Sequence, residues 1–365
     1  MKEIDRLMET PDPFRLDPQD LKNIKVKTIK ESYLHHFRNC KVYRDYCKSL
    51  NREPNDIRNY QDLVKIPLLP SNAFKERIIL SVPKDKVTFY TSSGTSGVVS
   101  RVGKDKITLR RAFKSYKVIA DKLGKWRGAF VGIFSPDPKK LTTPIWFSTL
   151  MASALDLPKE VSFFVNEKWK IDVERVYRGL TETKTRPRHL VGPPFIYLYY
   201  IRQGQPVELD EESIIGTGGG WKRFEGEKIE RKEFEKLIAK HFGVQRENIR
   251  DGLNMVEINS LMLDCECKCK HIPPWLHVTV RDPKNPEEEL PPGEEGLLGY
   301  LDPLAHSYPG FILSDDIGKI VVSENETCEC GRVGPCLHTE IRRAKGTEAR
   351  GCALKLEEFM ELSES

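Results

Sequence analysis

The chain has 365 residues, 59 basic and 54 acidic, for a net charge of +5. That length fits one large domain plus a smaller appendage, and the scattered charges leave no basic stripe for a nucleic-acid partner. The charged N-terminus "MKEIDRLMETPDPFRLDPQD" and the absence of any run of roughly eighteen apolar residues predict neither a signal peptide nor a membrane span.

In chain order, residues 18–50 carry apolar side chains at helical spacing (Leu21, Ile24, Tyr33, Leu34, Phe37) and predict an N-terminal helical cap over 1–60. His35 and His36 are expected on a solvated face or an interface. "IPLLPSNAFKERIIL" places Ser71 as the N-cap of a short helix. "KVTFYTSSGTSG" then runs from a short strand into a loop of small hydroxyls, and "ITLRRAFKSYKVIADKLG" is an amphipathic helix stopping at Gly124. Strand, loop and helix in that order form a phosphate cradle. The loop Ser92, Ser93, Gly94, Thr95, Ser96, Gly97 offers backbone amides and hydroxyls to an anion, the competing reading being a plain flexible turn. Its spacing excludes a Walker loop.

"GAFVGIFSP" predicts a buried strand backed by a helix in "TPIWFSTLMASAL". "HLVGPPFIYLYYI" and "SIIGTGGGW" read as strand ends opening onto a cleft, with His189 at the core edge. "ERKEFEKLIAKHFG" is a helix with a glycine stop, and the alternation predicts an α/β core over 61–270. Short strands over 271–340 predict a small β subdomain, followed by a short tail over 341–365.

Nine cysteines in a chain without a secretion signal favour metal or thiol chemistry in the cytoplasm over a disulfide framework. "CECKCKH" at 265–271 and "CECGRVGPC" at 328–336 bring soft ligands together, and four of them make a closed zinc site. The alternative is a set of reduced surface thiols. Cys352 stands alone near the end, where an isolated cysteine ordinarily reads as a small buried apolar residue.

The loop "SSGTSG", "GTGGG" at 216–220, "GLNMVE" at 252–257 and "LSDDIG" at 313–318 resemble, in order and rough spacing, motifs of the adenylate-forming superfamily of acyl-CoA synthetases. "IPLLPSNAFK", "HIPPWLHVTVRDP", "GEEGLLGYLDPL" and "RGCALKLEE" resemble its LuxE-type acyl-protein synthetases, relatives of the phenylacetate-CoA ligases. The resemblance runs from about residue 60 onward. It implies an α/β adenylating domain, mixed sheets flanked by helices with a small β subdomain, and a truncated C-terminal tail. It further implies ATP phosphates over residues 92–97, adenine and acyl groups beside Gly218, Gly219 and Gly220, Mg²⁺ on Glu257, and ribose hydroxyls on Asp316. Arg343 matches the family's hinge arginine. Cys352 follows on the strand that swings to the site, where its thiolate displaces AMP from an acyl adenylate and keeps the acyl group as a thioester. A carboxylic, chiefly fatty, acid is then the substrate and a protein such as an acyl reductase the acceptor.

Phenylacetate-CoA ligases carry Cys-x5-His followed by Cys-x-Cys-Gly-Arg, which selects Cys265, His271, Cys328 and Cys330 for a structural zinc, with Cys267, Cys269 and Cys336 spare. The chain departs from the superfamily where Ser100 and Arg101 replace a loop lysine and where Asn254 and Met255 replace Tyr-Gly. The late adenylation lysine would lie beyond Ser365, with Lys222 and Lys345 as substitutes. Two rivals stand beside this reading. One is a CoA ligase, which the short tail disfavours; the other is a non-catalytic nucleotide-binding subunit, which Glu257 and Asp316 disfavour. The apolar run 195–201 is core packing or, alternatively, a wall of the acyl pocket.

Overall fold

Short apolar strands pair in parallel only through crossovers of a dozen or more residues, normally helical. In the computed structural model, which describes residues 2–91, 100–141, 145–219 and 229–344, five strands do so. Glu160–Phe163, Phe130–Ile133, Arg188–Gly192, Ile215–Gly218 and Ile249–Leu253 lie side by side in that order. Their crossovers carry the helices Trp146–Ala152, Val173–Glu182, Pro194–Gln203 and Arg231–Phe242. The last stops at Gly243, whose φ of 65° is the left-handed conformation that glycine adopts without strain. Every residue of Phe130–Ile133 is buried, as in a strand covered on both faces.

Beyond Ile249–Leu253 the sheet turns antiparallel through Met262–Asp264, Cys269–His271, Cys336–His338 and Ile320–Val322, making nine strands. A second, five-stranded sheet orders Leu69–Pro70, Phe311–Gly318, Gly296–Leu301 and His277–Arg281, with Arg342–Arg343 also paired to Phe311–Gly318. Residues 271–340 therefore supply strands to both sheets. A hairpin of Thr88–Thr91 and Arg101–Lys104 stands apart and leads into the helix Lys106–Lys122, capped by Asp105 on the Thr108 amide at 2.8 Å. The predicted loop residues Ser92, Ser93, Gly94, Thr95, Ser96 and Gly97 lie outside the described residues, as do Gly220, Lys222, Lys345 and Cys352.

The N-terminal helix Pro18–Asn39 starts where Asp17 accepts from the amides of Gln19 and Asp20, with Pro18 in the first turn. Its Tyr33 and the Tyr43 of helix Lys41–Ser49 meet Phe311 edge-on or tilted at about 6 Å, which seats these helices on the five-stranded sheet. His36 departs from the expected solvated face: it is fully buried, with Nδ1 2.7 Å from Ser81 Oγ. Helical spacing marks an apolar stripe, yet a histidine beside that stripe turns inward when a hydroxyl there can partner its ring. In the run 195–201, Tyr197 packs on Phe134 and Tyr200 on Phe242 in the core, while Tyr199 is exposed.

A buried ionic cluster joins the parallel and antiparallel parts of the large sheet. Asp264 accepts from Arg231 at 2.8 Å, Lys270 at 2.9 Å and the Asp251 amide at 3.0 Å, and both Asp264 and Lys270 are fully buried. Burial opposes ionisation, but Lys270 and Arg231 hold the Asp264 carboxyl below its ordinary range. The contribution is therefore present at neutral pH and lost as pH falls through that lowered value. Asp264→Ala, which leaves the buried Lys270 ammonium with Asp251 alone as its acceptor, is expected to lower unfolding free energy by about 3 kcal/mol in urea titrations. A loss under about 1 kcal/mol would mean that Lys270 escapes to water.

Candidate active site and metal centre

The turn after the carboxyl end of the last parallel strand meets the loop after Gly296–Leu301 through Asn259 and Asp302, and the carboxyl ends of the strands are the usual place for a ligand in an open α/β sheet. Gly218 ends the strand Ile215–Gly218 and pairs with Gly252; a Cβ on it would stand 3.2 Å from the Gly252 carbonyl oxygen. Gly219 follows with φ of 80°, so backbone alone borders the cleft at this point.

Asp316 and Arg343 lie directly across from each other in antiparallel register, with Arg343 Nε 3.3 Å from Asp316 Oδ1. Burial raises the Asp316 carboxyl, with the Arg343 charge acting against that shift. Glu257 is 3% exposed in the turn after Ile249–Leu253. Burial raises its carboxyl too, and the Ser100 hydroxyl, Lys104 and Arg343 offset this in part. Ser100 is the first described residue after the predicted phosphate loop. Glu257, Asp316 and Arg343, distant in sequence, thus converge beside that loop's exit. A buried carboxylate with incompletely balanced charge suits a divalent cation held by oxygen.

Asn254 closes the Glu257 turn by donating to the Ser260 carbonyl at 2.8 Å. The sequence reading missed Lys104, Trp146, Asn259 and Tyr308, which pack around this turn. No periodicity or spacing singles out Lys104 in "RVGKDK", so only its surroundings reveal it.

An apolar cavity of about 40 Å³ lies between the helix Lys106–Lys122 and the parallel strands. Phe147, Thr217 and Gly252 line it near the strand ends, and Tyr116 and Trp126 line it on the helix side. None of 195–201 does. A larger cavity of about 150 Å³, among Tyr46, Leu50, Leu68, Arg281 and Leu313, includes none of the predicted site residues.

The cysteine clusters meet on the antiparallel wing. Cys265 follows Met262–Asp264, His271 ends Cys269–His271, and Cys328 and Cys330 sit in the turn before Cys336–His338. Gly331, with φ of 80°, lets that turn fold back so that the Cys328 amide meets the Arg332 carbonyl at 2.9 Å. The ligand atoms of Cys265, His271, Cys328 and Cys330 all fall within 4.8 Å of one another. Cys265 and Cys328 sulfurs are 3.9 Å apart, against ~3.8 Å for two Zn–S bonds of ~2.3 Å at the tetrahedral angle. Cys336 Sγ lies 3.5 Å from His271 Nδ1, while Cys267 and Cys269 are only half-buried. Burial works against the Cys330 thiolate, yet His271 and Arg332 bring that thiol down to about 6. The donor set and its spacing fit a tetrahedral soft-metal ion, and no disulfide joins the described cysteines.

A crystal structure of 2-hydroxyisobutyryl-CoA ligase, in an open conformation with 2-HIB-AMP and CoA, superposes with a TM-score of 0.70. Identity is 14%, over 90% of this chain and 71% of that one, so the likeness establishes a shared fold. The architecture is the fold of that CoA ligase. A model of the LuxE acyl-protein synthetase family matches residues 1–361, and the chain belongs to that family. It is 32% identical to the long-chain-fatty-acid–luciferin-component ligase of Vibrio harveyi over 97% of this chain and 93% of that protein. The ligase of the same name from Aliivibrio fischeri is 33% identical with the same coverage. A phenylacetate-coenzyme A ligase of Aromatoleum evansii is 27% identical over 26% of this chain. The protein is accordingly an acyl-activating, AMP-forming ligase. No helix among the described residues is long and apolar enough to cross a membrane.

Proposed function

We propose that the protein adenylates a long-chain fatty acid with magnesium ATP, takes the acyl group onto its own Cys352, and delivers it to an acceptor protein such as an acyl reductase. The observation that carries this reading is the convergence of Glu257, Asp316 and Arg343 beside the exit of the 92–97 loop. In the first step a substrate carboxylate oxygen attacks the α-phosphorus of ATP and pyrophosphate leaves. Glu257 holds the magnesium that offsets phosphate charge, residues 92–97 cradle the phosphates, Gly218, Gly219 and Gly220 border adenine, and Asp316 takes the ribose hydroxyls. In the second, the Cys352 thiolate attacks the acyl carbon and AMP leaves, its bond to the acyl group replaced by a thioester.

Relatives named for long-chain fatty acids support the acid class, and the apolar cavity beside Thr217 supports where its tail goes. About 40 Å³ holds little more than one water, so side chains such as Phe147 must move aside for an acyl chain. The short tether to Cys352 supports its reaching the site. It lies nine residues beyond Arg343, a span of up to about 30 Å when extended. The unpaired thiols fit a cytoplasmic setting.

ATP plus a saturated long-chain acid is expected to add one acyl mass to the chain without CoA, removable by neutral hydroxylamine. Cys352→Ala should lose that adduct yet keep acid-dependent pyrophosphate exchange, because the adenylate forms first. An adduct persisting on Cys352→Ala refutes the carrier role, and turnover that needs free CoA and ignores the substitution establishes a CoA ligase instead.

Cys265, His271, Cys328 and Cys330 are proposed to hold one structural zinc that ties the turn 328–332 to the antiparallel wing. Elemental analysis of protein purified without added metal should give about one zinc per chain, and strong chelation should lower the melting temperature. Full metal content in a Cys328→Ser/Cys330→Ser variant would remove these ligands from the site.

A further inference from the structure

Lys104 ends the strand that leads out of the predicted phosphate loop, and it is wholly buried. Its Nζ donates to Asn259 Oδ1 at 2.7 Å and to the Tyr308 hydroxyl at 2.9 Å. The Tyr308 hydroxyl in turn donates to the main-chain oxygen of Glu257 at 3.0 Å. Asn259 is itself fixed: its backbone and side-chain nitrogens both donate to Asp302 Oδ2, at 2.7 and 3.0 Å. The ammonium also lies 3.8 Å from the centre of the Trp146 ring, whose Nε1 donates to the Ile258 carbonyl at 3.1 Å.

Taking an ammonium wholly out of water costs several kcal/mol, and an apolar side chain of equal volume fills such a space without that cost. Packing therefore does not explain a lysine here, whereas its bonds all end on or next to the Glu257 turn. Burial pulls Lys104 below the ordinary lysine range, and the carboxylates of Asp302 and Glu257 oppose that shift, so these are the charges that face it.

We propose that Lys104 is a positioning residue for adenylation, fixing the Glu257 turn against the strand that leaves the phosphate loop through Tyr308 and Asn259. The inference rests on the reading of Glu257 as the magnesium ligand. Lys104 touches no reacting atom; it sets the place and orientation of the carboxylate that does. A turn held at one point by a buried cation keeps its metal ligand within the few tenths of an ångström that phosphoryl chemistry requires.

The test uses the full chain with Lys104→Met, which keeps the apolar stem, Tyr308→Phe, which deletes one hydroxyl, and the double variant. Pyrophosphate exchange is measured with a saturated long-chain acid, and Mn²⁺ binding in the presence of ATP is followed by electron paramagnetic resonance. Each single variant is expected to lower kcat about tenfold, leave KM for the acid within about twofold, and weaken Mn²⁺ binding. The double variant should lose little beyond either single, because both act on one chain of bonds. Losses that multiply to about a hundredfold, or unchanged kcat and Mn²⁺ affinity, overturn the inference. If Lys104→Met does not fold, Tyr308→Phe decides alone: unchanged exchange and unchanged Mn²⁺ binding overturn it. Glu257→Gln separates the two levels. Normal exchange there ends the magnesium reading and this inference with it, whereas an inactive Glu257→Gln beside a normal Lys104→Met ends this inference alone.

Discussion

The turn at 254–260 fastens the two larger sheets together, with Val256 and Ile258 in the apolar core they share and its polar groups bonded across. From the last parallel strand the chain passes through Asn254, Glu257 and Asn259 into the antiparallel wing. Asn259 reaches Asp302 in the loop after Gly296–Leu301, Ser260 accepts from Trp275 Nε1 at 2.9 Å, and Trp146 holds Ile258. Each of these groups is buried. In a low-dielectric interior such bonds are strong when complete and costly when one partner is missing, so they select one arrangement of the sheets. Glu257, the proposed metal-binding carboxylate, sits in the middle of that arrangement, and its geometry follows from it.

The second constraint is the antiparallel wing. A parallel sheet ending at Ile249–Leu253 would expose an unpaired edge, and four further strands cover it. Those strands are short, and their Met262, Leu263 and Leu337 join the main apolar core. Charge and thiol clusters add to that packing: Asp264 with Arg231 and Lys270 on one side, Cys265, His271, Cys328 and Cys330 on the other. Both sets are satisfied only when Cys269–His271 lies between Met262–Asp264 and Cys336–His338, so they fix register as well as proximity.

A fold shared at 14% identity with a CoA ligase shows how little of this architecture depends on particular side chains. What the architecture needs is a pattern of buried strands, crossover helices and glycines where the backbone borders the cleft. The proposed chemistry depends on far fewer positions, and register sets pairs of them side by side: Asp316 opposite Arg343, Gly218 opposite Gly252.

The crossover helices, the glycine stop at Gly243 and the clustering of the cysteines were legible in the chain because each is a local pattern of residue types, whereas Glu257 and Asp316 stood out only through the resemblance of their motifs to a known family. Local patterns report which side of an element is buried but not what it meets. Hence the division of residues 271–340 between two sheets, the inward turn of His36, and the apolar cavity beside Tyr116 and Trp126 rather than along 195–201 emerged from packing alone. Lys104 is the clearest case. In sequence it is one lysine among the 59 basic residues. Tyr308, 204 positions away, and Asn259, 155 away, make it a buried cation beside the Glu257 turn. Contacts at that separation leave no periodic mark on the sequence, since they exist only once both sheets have assembled.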